Sequence, residues 1–163
     1  MSEIKKIILI SVLLWRSYAV ACANENSHLF STGRSMEVDR CASAWLIKRY
    51  IDTQAEFAFF DDGQLITHGT AFDTPDARFC RTHNTSTFEV LTRYFGIVDL
   101  KIEIIAAAIH EIEINYWAGK KKNQLAREID RKVSNIIHTN PEPDRCLQEC
   151  FRFFDQVIHQ IPN

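Results

Sequence analysis

The sequence predicts a mainly α protein, a single-domain, helical-bundle-like chain that is α+β only through a small two-stranded element. Three observations predict it. Beyond residue 38, apolar side chains recur at three- and four-residue steps through most of the chain, which is the helical period. Gly and Pro number only 5 and 4 in 163 residues, too few for the turn-rich pattern of a strand sandwich. The length is one domain's worth of chain and can bury a core without metal or disulfide staples. A hydrophobic fraction of 46% and a charged fraction of 25% are ordinary for a soluble globular protein. The formal net charge of -2 gives no support to non-specific nucleic-acid binding, and no nucleic-acid partner is expected.

Residues 1–23 read as a secretory signal peptide. Lys5 and Lys6 precede the apolar run Ile7–Trp15, and Ala21-Cys22-Ala23 supplies the small residues of a cleavage site. The apolar run is too short for a comfortable membrane span. The expectation is a periplasmic or secreted protein with no stable membrane span after cleavage; an uncleaved or lipid-held N-terminus is the alternative. Residues 24–37 are polar and read as a linker, leaving 38–163 as the folded domain.

The first helix spans about 40–51. Val38, Cys41, Ala42, Trp45, Leu46 and Arg49 form its apolar face, and Asp39 is expected to cap its start. Phe57 to Phe60 fits a short buried strand, closed by the turn signal Asp61-Asp62-Gly63. Arg78 to His83 alternates loosely and is expected to form the second strand beside it. Ser86-Thr87-Phe88-Glu89 is a capping box whose helix should end at Gly96. Asp99 caps the next helix, which presents Ile102, Ile105, Ala106, Ile109 and Ile112. Gly119 to Lys122 is a basic turn. A further helix carries Leu125, Ile129, Val133, Ile136 and Ile137. After Pro141 and Pro143 the last helix carries Leu147, Cys150, Phe151, Phe154, Val157, Ile158 and Ile161.

Five cysteines are present, and Cys22 would leave with the signal. Cys41, Cys80, Cys146 and Cys150 permit disulfides in an oxidising compartment, with the pairing undetermined by sequence. Cys146 and Cys150 are one helical turn apart, which is poor for a disulfide within a regular helix. Both can face one metal or one partner, or pack in the core as buried thiols commonly do.

Glu103, His110 and Glu113, at spacings of seven and three, gather on one side of a helix. Imidazole with carboxylates suits a divalent metal such as zinc, manganese or iron; an ordinary polar helix edge is the alternative. Arg34, Arg40, Lys48, Arg49 and Arg81 form a scattered basic set. A helix N-terminus plus an arginine fork would hold an anion at Asp39, Arg40 and Arg81, unless these cations are simply paired with nearby carboxylates.

The series Asp39-Arg40, Trp45-Leu46-Ile47, Arg49 and Ile51-Asp52 resembles the signature of bacterial chromate-resistance proteins of the ChrB type. Glu56 to Phe59, Ala71-Phe72-Asp73, Thr87 to Leu91, Tyr94-Phe95-Gly96 and His110 to Glu113 follow in family order. The resemblance covers about residues 30–115. It implies metal-binding roles for Glu89, His110 and Glu113, with Glu89 also claimed by its capping box. The family pattern has a His where this chain has Arg81. His83, two residues on, can replace that ligand, or Arg81 marks a site that takes an anion.

The resemblance implies a chromate-resistance protein that senses, binds or helps detoxify a small oxyanion such as chromate, with a bound divalent metal as its expected aid. Two other readings stay open: a metal-dependent enzyme with Glu89 or Glu113 as general base beside metal-bound water, and a non-catalytic periplasmic anion-binding module. Relatives carry a separate N-terminal region linked to regulation; the signal-peptide pattern here argues against contact with a promoter.

Overall fold

The computed structural model describes residues 28–75, 77–114 and 123–162. The expected signal peptide over 1–23 and the basic turn over 119–122 lie outside the described residues. No helix among the described residues is long and apolar enough to cross a membrane.

The elements run β1 (Leu29–Gly33), α1 (Val38–Leu46, continued by a π-helical turn Ile47–Ile51), β2 (Glu56–Phe60), β3 (Thr70–Ala71), α2 (Thr87–Tyr94), α3 (Leu100–Glu113), α4 (Gln124–Thr139) and α5 (Pro143–Gln160). The fold is mixed and α-dominant, as expected, but its sheet differs from the expected strand pair. Three parallel strands lie in the order β2-β1-β3. The central strand is β1, inside the stretch expected to be a linker. Its sequence Leu-Phe-Ser-Thr-Gly carries no apolar run, because a buried hydroxyl makes up for polarity there: Ser31 Oγ donates to the His68 carbonyl at 2.7 Å. A buried polar group costs little once its hydrogen bond is made. Gly69 lets that loop approach. Its φ is +77°, and a Cβ there would come within 2.4 Å of Ser31 Oγ.

Arg78 to His83 forms no extended strand. Phe79 makes a single parallel bridge to Phe72, and Thr82 a single antiparallel bridge to Thr85. The loose alternation there reflects a loop held at isolated points.

The helical periods hold. α1 is the central helix, with all nine of its residues buried, and it packs against α2, α3, α4 and α5. Ile102, Ile105, Ile109 and Ile112 of α3, Ile129 and Val133 of α4, and Leu147, Phe154 and Val157 of α5 complete the core. Trp45 of α1 stacks on Phe154 of α5, centroids 5.5 Å apart. Its indole N–H donates to Asp155 at 2.8 Å, and the same carboxylate takes two bonds from Arg49, at 2.9 and 2.7 Å. The last helix is thereby clamped to the first.

Candidate functional site

The start of α1 places a carboxylate where its own helix does not need it. Asp39 is not the cap of α1. The capping position is Glu37, whose side chain makes no capping bond. Asp39 lies within the first turn and reaches across the chain to the start of α2. It accepts from the backbone N–H groups of Thr87 at 2.6 Å and Phe88 at 2.9 Å, and from Ser43 Oγ at 3.2 Å. Ser86 Oγ takes the next N–H, that of Glu89, at 3.2 Å, and Glu89 Oε2 closes the capping box on Ser86 N at 2.8 Å. The N–H groups that a helix start leaves unpaired are thus met by one local residue and one distant one.

Arg40, only 6% exposed, turns the other way. Nη2 donates to the Asp73 carbonyl at 2.6 Å, Nη1 donates to the Ser35 carbonyl, and Nε lies 3.2 Å from Asp73 Oδ2 as an ion pair without hydrogen-bond alignment. Gly33 makes room, since a Cβ there would be 3.2 Å from Nη1. Asp73 holds φ at +49°, a left-handed conformation that costs a non-glycine residue something and recurs at working sites. Its Oδ1 accepts from Thr87 Oγ1 at 2.6 Å. Arg81 then ties three carboxylates together: Glu113 at 3.0 Å, Asp73 at 3.5 Å, and Glu37.

Four carboxylates (Glu37, Asp39, Asp73, Glu113) meet two guanidinium groups in this knot. Burial, then the charges of Asp73 and Glu113, push Asp39 up from 3.8 to about 7 against the hydrogen bonds from Phe88 and Thr87. Burial likewise raises Asp73 and Glu113, opposed by their arginines. Burial pulls Arg81 down, but Asp73, Glu37 and Glu113 outweigh it and hold its guanidinium above the ordinary value. Arg81 supplies the positive charge that Glu37, Asp73 and Glu113 share. With acid in excess and both arginines engaged, the knot offers no surplus positive charge to a dianion.

Glu89 and His110 form a second arrangement. His110 Nδ1 and Glu89 Oε2 are 2.9 Å apart. Burial raises the Glu89 carboxyl, while the Ser86 N–H, the bond to His110 and the Ser86 hydroxyl outweigh it and keep the group below its ordinary range. The pair lines an open cavity of about 620 Å³ with Arg93, Glu103, Ile97 and Val98. A second cavity, about 530 Å³, lies at the carboxyl ends of β1, β2 and β3 and borders Glu37, Arg40, Asp61 and Asp62. Parallel sheets bind ligands at that edge, but its lining here is acidic.

Of the four expected metal ligands, the structure brings Glu89 and His110 together. Glu113 faces Arg81 instead, and His83 is exposed with no hydrogen-bond partner among the described residues. Of the expected anion set, Arg40 and Arg81 converge on Asp73, while Asp39 serves α2. Sequence reasoning missed the roles of Asp73, Glu37 and Thr87. Ala71-Phe72-Asp73 carried only a place in the resemblance, and nothing periodic marks a single buried aspartate in a loop.

The family model described as ChrB, C-terminal domain, matches residues 30–161. Protein ChrB of Cupriavidus metallidurans is 33% identical over 87 residues, covering 52% of this chain and 27% of that protein. The matched part of the chain thus spans about a quarter of that relative's length. No solved structure matches.

Proposed function

We infer that this chain, which belongs to the ChrB C-terminal-domain family, serves in chromate resistance by holding a small oxyanion through a divalent metal at His110. One observation carries the reading: the 2.9 Å contact of Glu89 Oε2 with His110 Nδ1 at the wall of an open cavity. That contact makes Nδ1 the protonated nitrogen and leaves Nε2 its lone pair. A carboxylate that orients a ligating imidazole in this way fixes the tautomer and raises its basicity. Glu89 is then the positioning group, since its Oε2 already accepts from Ser86. Glu103 lines the same cavity two helical turns from His110, and imidazole with carboxylates nearby suits zinc, manganese or iron. When bound, the metal supplies a positive charge that the acidic knot lacks. Arg93 lines the cavity beside it. Asp39, Arg40 and Arg81 hold the framework rather than the anion. The amino-terminal pattern supports a periplasmic or secreted setting.

Calorimetric titration with zinc and manganese, followed by chromate, tests this reading. Metal affinity should fall in His110→Ala and drop roughly 10–100-fold in Glu89→Gln, and chromate should bind only to the loaded protein. Equal chromate binding without metal, or metal binding indifferent to His110→Ala, overturns it.

A further inference from the structure

Cys41 of α1 and Cys146 and Cys150 of α5 meet inside the core. Their sulfurs all lie within 4.8 Å of one another, and among the described residues no other His, Cys, Asp or Glu side chains make such a group of three. All three are unpaired and fully buried, in the apolar cluster that holds Trp45, Leu147 and Phe154. The Cys146–Cys150 spacing of one turn lets both thiols face α1, and Cys41 completes a triangle.

We propose that Cys41, Cys146 and Cys150 form a three-sulfur site for a trivalent thiophilic centre, arsenic(III) taken up as arsenous acid. Charge selects the class. A buried complex must be close to neutral, because an uncompensated charge in an apolar interior is expensive. Three thiolates leave copper(I) at a net charge of about -2 and zinc at about -1, and zinc also seeks a fourth ligand that the triangle lacks. Arsenic(III) with three thiolates is neutral and needs no fourth donor. Size is compatible: bonds to sulfur as long as zinc's, about 2.3 Å, place three sulfurs about 4 Å apart at most, inside the 4.8 Å bound of the triangle. The exchange balances without any oxidant. Three As–O bonds break as three As–S bonds form, each thiol proton leaves with a departing hydroxide as water, and arsenic stays trivalent. Because the triangle is closed to solvent, uptake requires α5 to lift from α1 and is slower than reaction at an exposed thiol. This site is independent of the His110 reading.

The test uses the full reduced chain with Cys22→Ser and Cys80→Ser, so that three thiols remain, titrated with sodium arsenite without oxygen. Intact-mass measurement should find one arsenic per chain, and X-ray absorption should count three sulfurs around it. Adding Cys41→Ser should weaken binding by more than roughly 100-fold, beyond what disturbing a ligand's partner costs. The sulfur count needs no further variant, so a misfolded Cys41→Ser does not decide the matter. Two sulfurs, no uptake, or zinc bound in preference to arsenite overturns the proposal.

Discussion

Asp39 shows how one buried carboxyl sets a pH dependence. Its proton is held more tightly in the folded chain than in the unfolded one, since its value rises from 3.8 to about 7. Stability from this group is therefore fully present at low pH and declines as pH rises from about 4 to about 7, then levels off. Asp73 and Glu113 shift in the same direction. Glu89 and Asp155 shift downward, so they act below the ordinary carboxylate range. Thermal melts between about pH 5 and pH 8 should show the melting temperature falling with pH, and Asp39→Asn, which mimics the protonated form, should flatten the curve. A parallel curve in the variant would assign the slope to other groups. The Asp39-Arg40 pair was legible in the sequence as a charged step on an apolar face. Its duty was not, because spacing along one helix cannot show a partner 48 residues away. Asp73 was not legible as a site residue at all: its burial and its positive φ are properties of the packed chain.

The start of α2 separates local from distant capping. Ser86→Ala removes the acceptor for the Glu89 N–H but leaves Thr87 and Phe88 held by Asp39, so unfolding by urea should register a loss of about 1 kcal/mol. Ser86→Asp, a good cap elsewhere, should not recover that loss, because the Glu89 carboxylate already occupies the Ser86 N–H. Full recovery would mean that the two carboxylates do not compete. The capping box was readable because it is written within four residues, and the helices were readable because their buried stripes repeat at the helical period. β1 was not. It is buried on both sides, so alternation is absent, and Ser31 and Thr32 remove the apolar run that marks most central parallel strands. The expected strand at 78–83 had alternation but meets neighbours only at the single bridges of Phe79 and Thr82.

Across the whole molecule, the clamp between α1 and α5 should dominate stability. Phe154 is fully buried against Trp45, and Phe154→Ala should cost about 3–5 kcal/mol in equilibrium unfolding. Asp155→Ala should cost less, about 1–2 kcal/mol, since its pair with Arg49 is more than a third exposed and screened by water, while the Trp45 indole N–H loses its acceptor. A reversal of that order would place the clamp in the ion pair rather than the rings. The helical architecture followed from the sequence, but the sheet order did not, because parallel pairing is set between segments far apart in the chain. That order also has a consequence in time. Among the described residues, the strand made first is the one in the middle, flanked by β2 and β3, which are made later. On the ribosome β1 must wait with at least one edge unpaired while the chain from Gly33 to Ala71 is added, a delay of roughly 2–8 s at cellular elongation rates. Until then its open edge is exposed to any other strand in reach, so the newborn chain depends on how quickly it is finished.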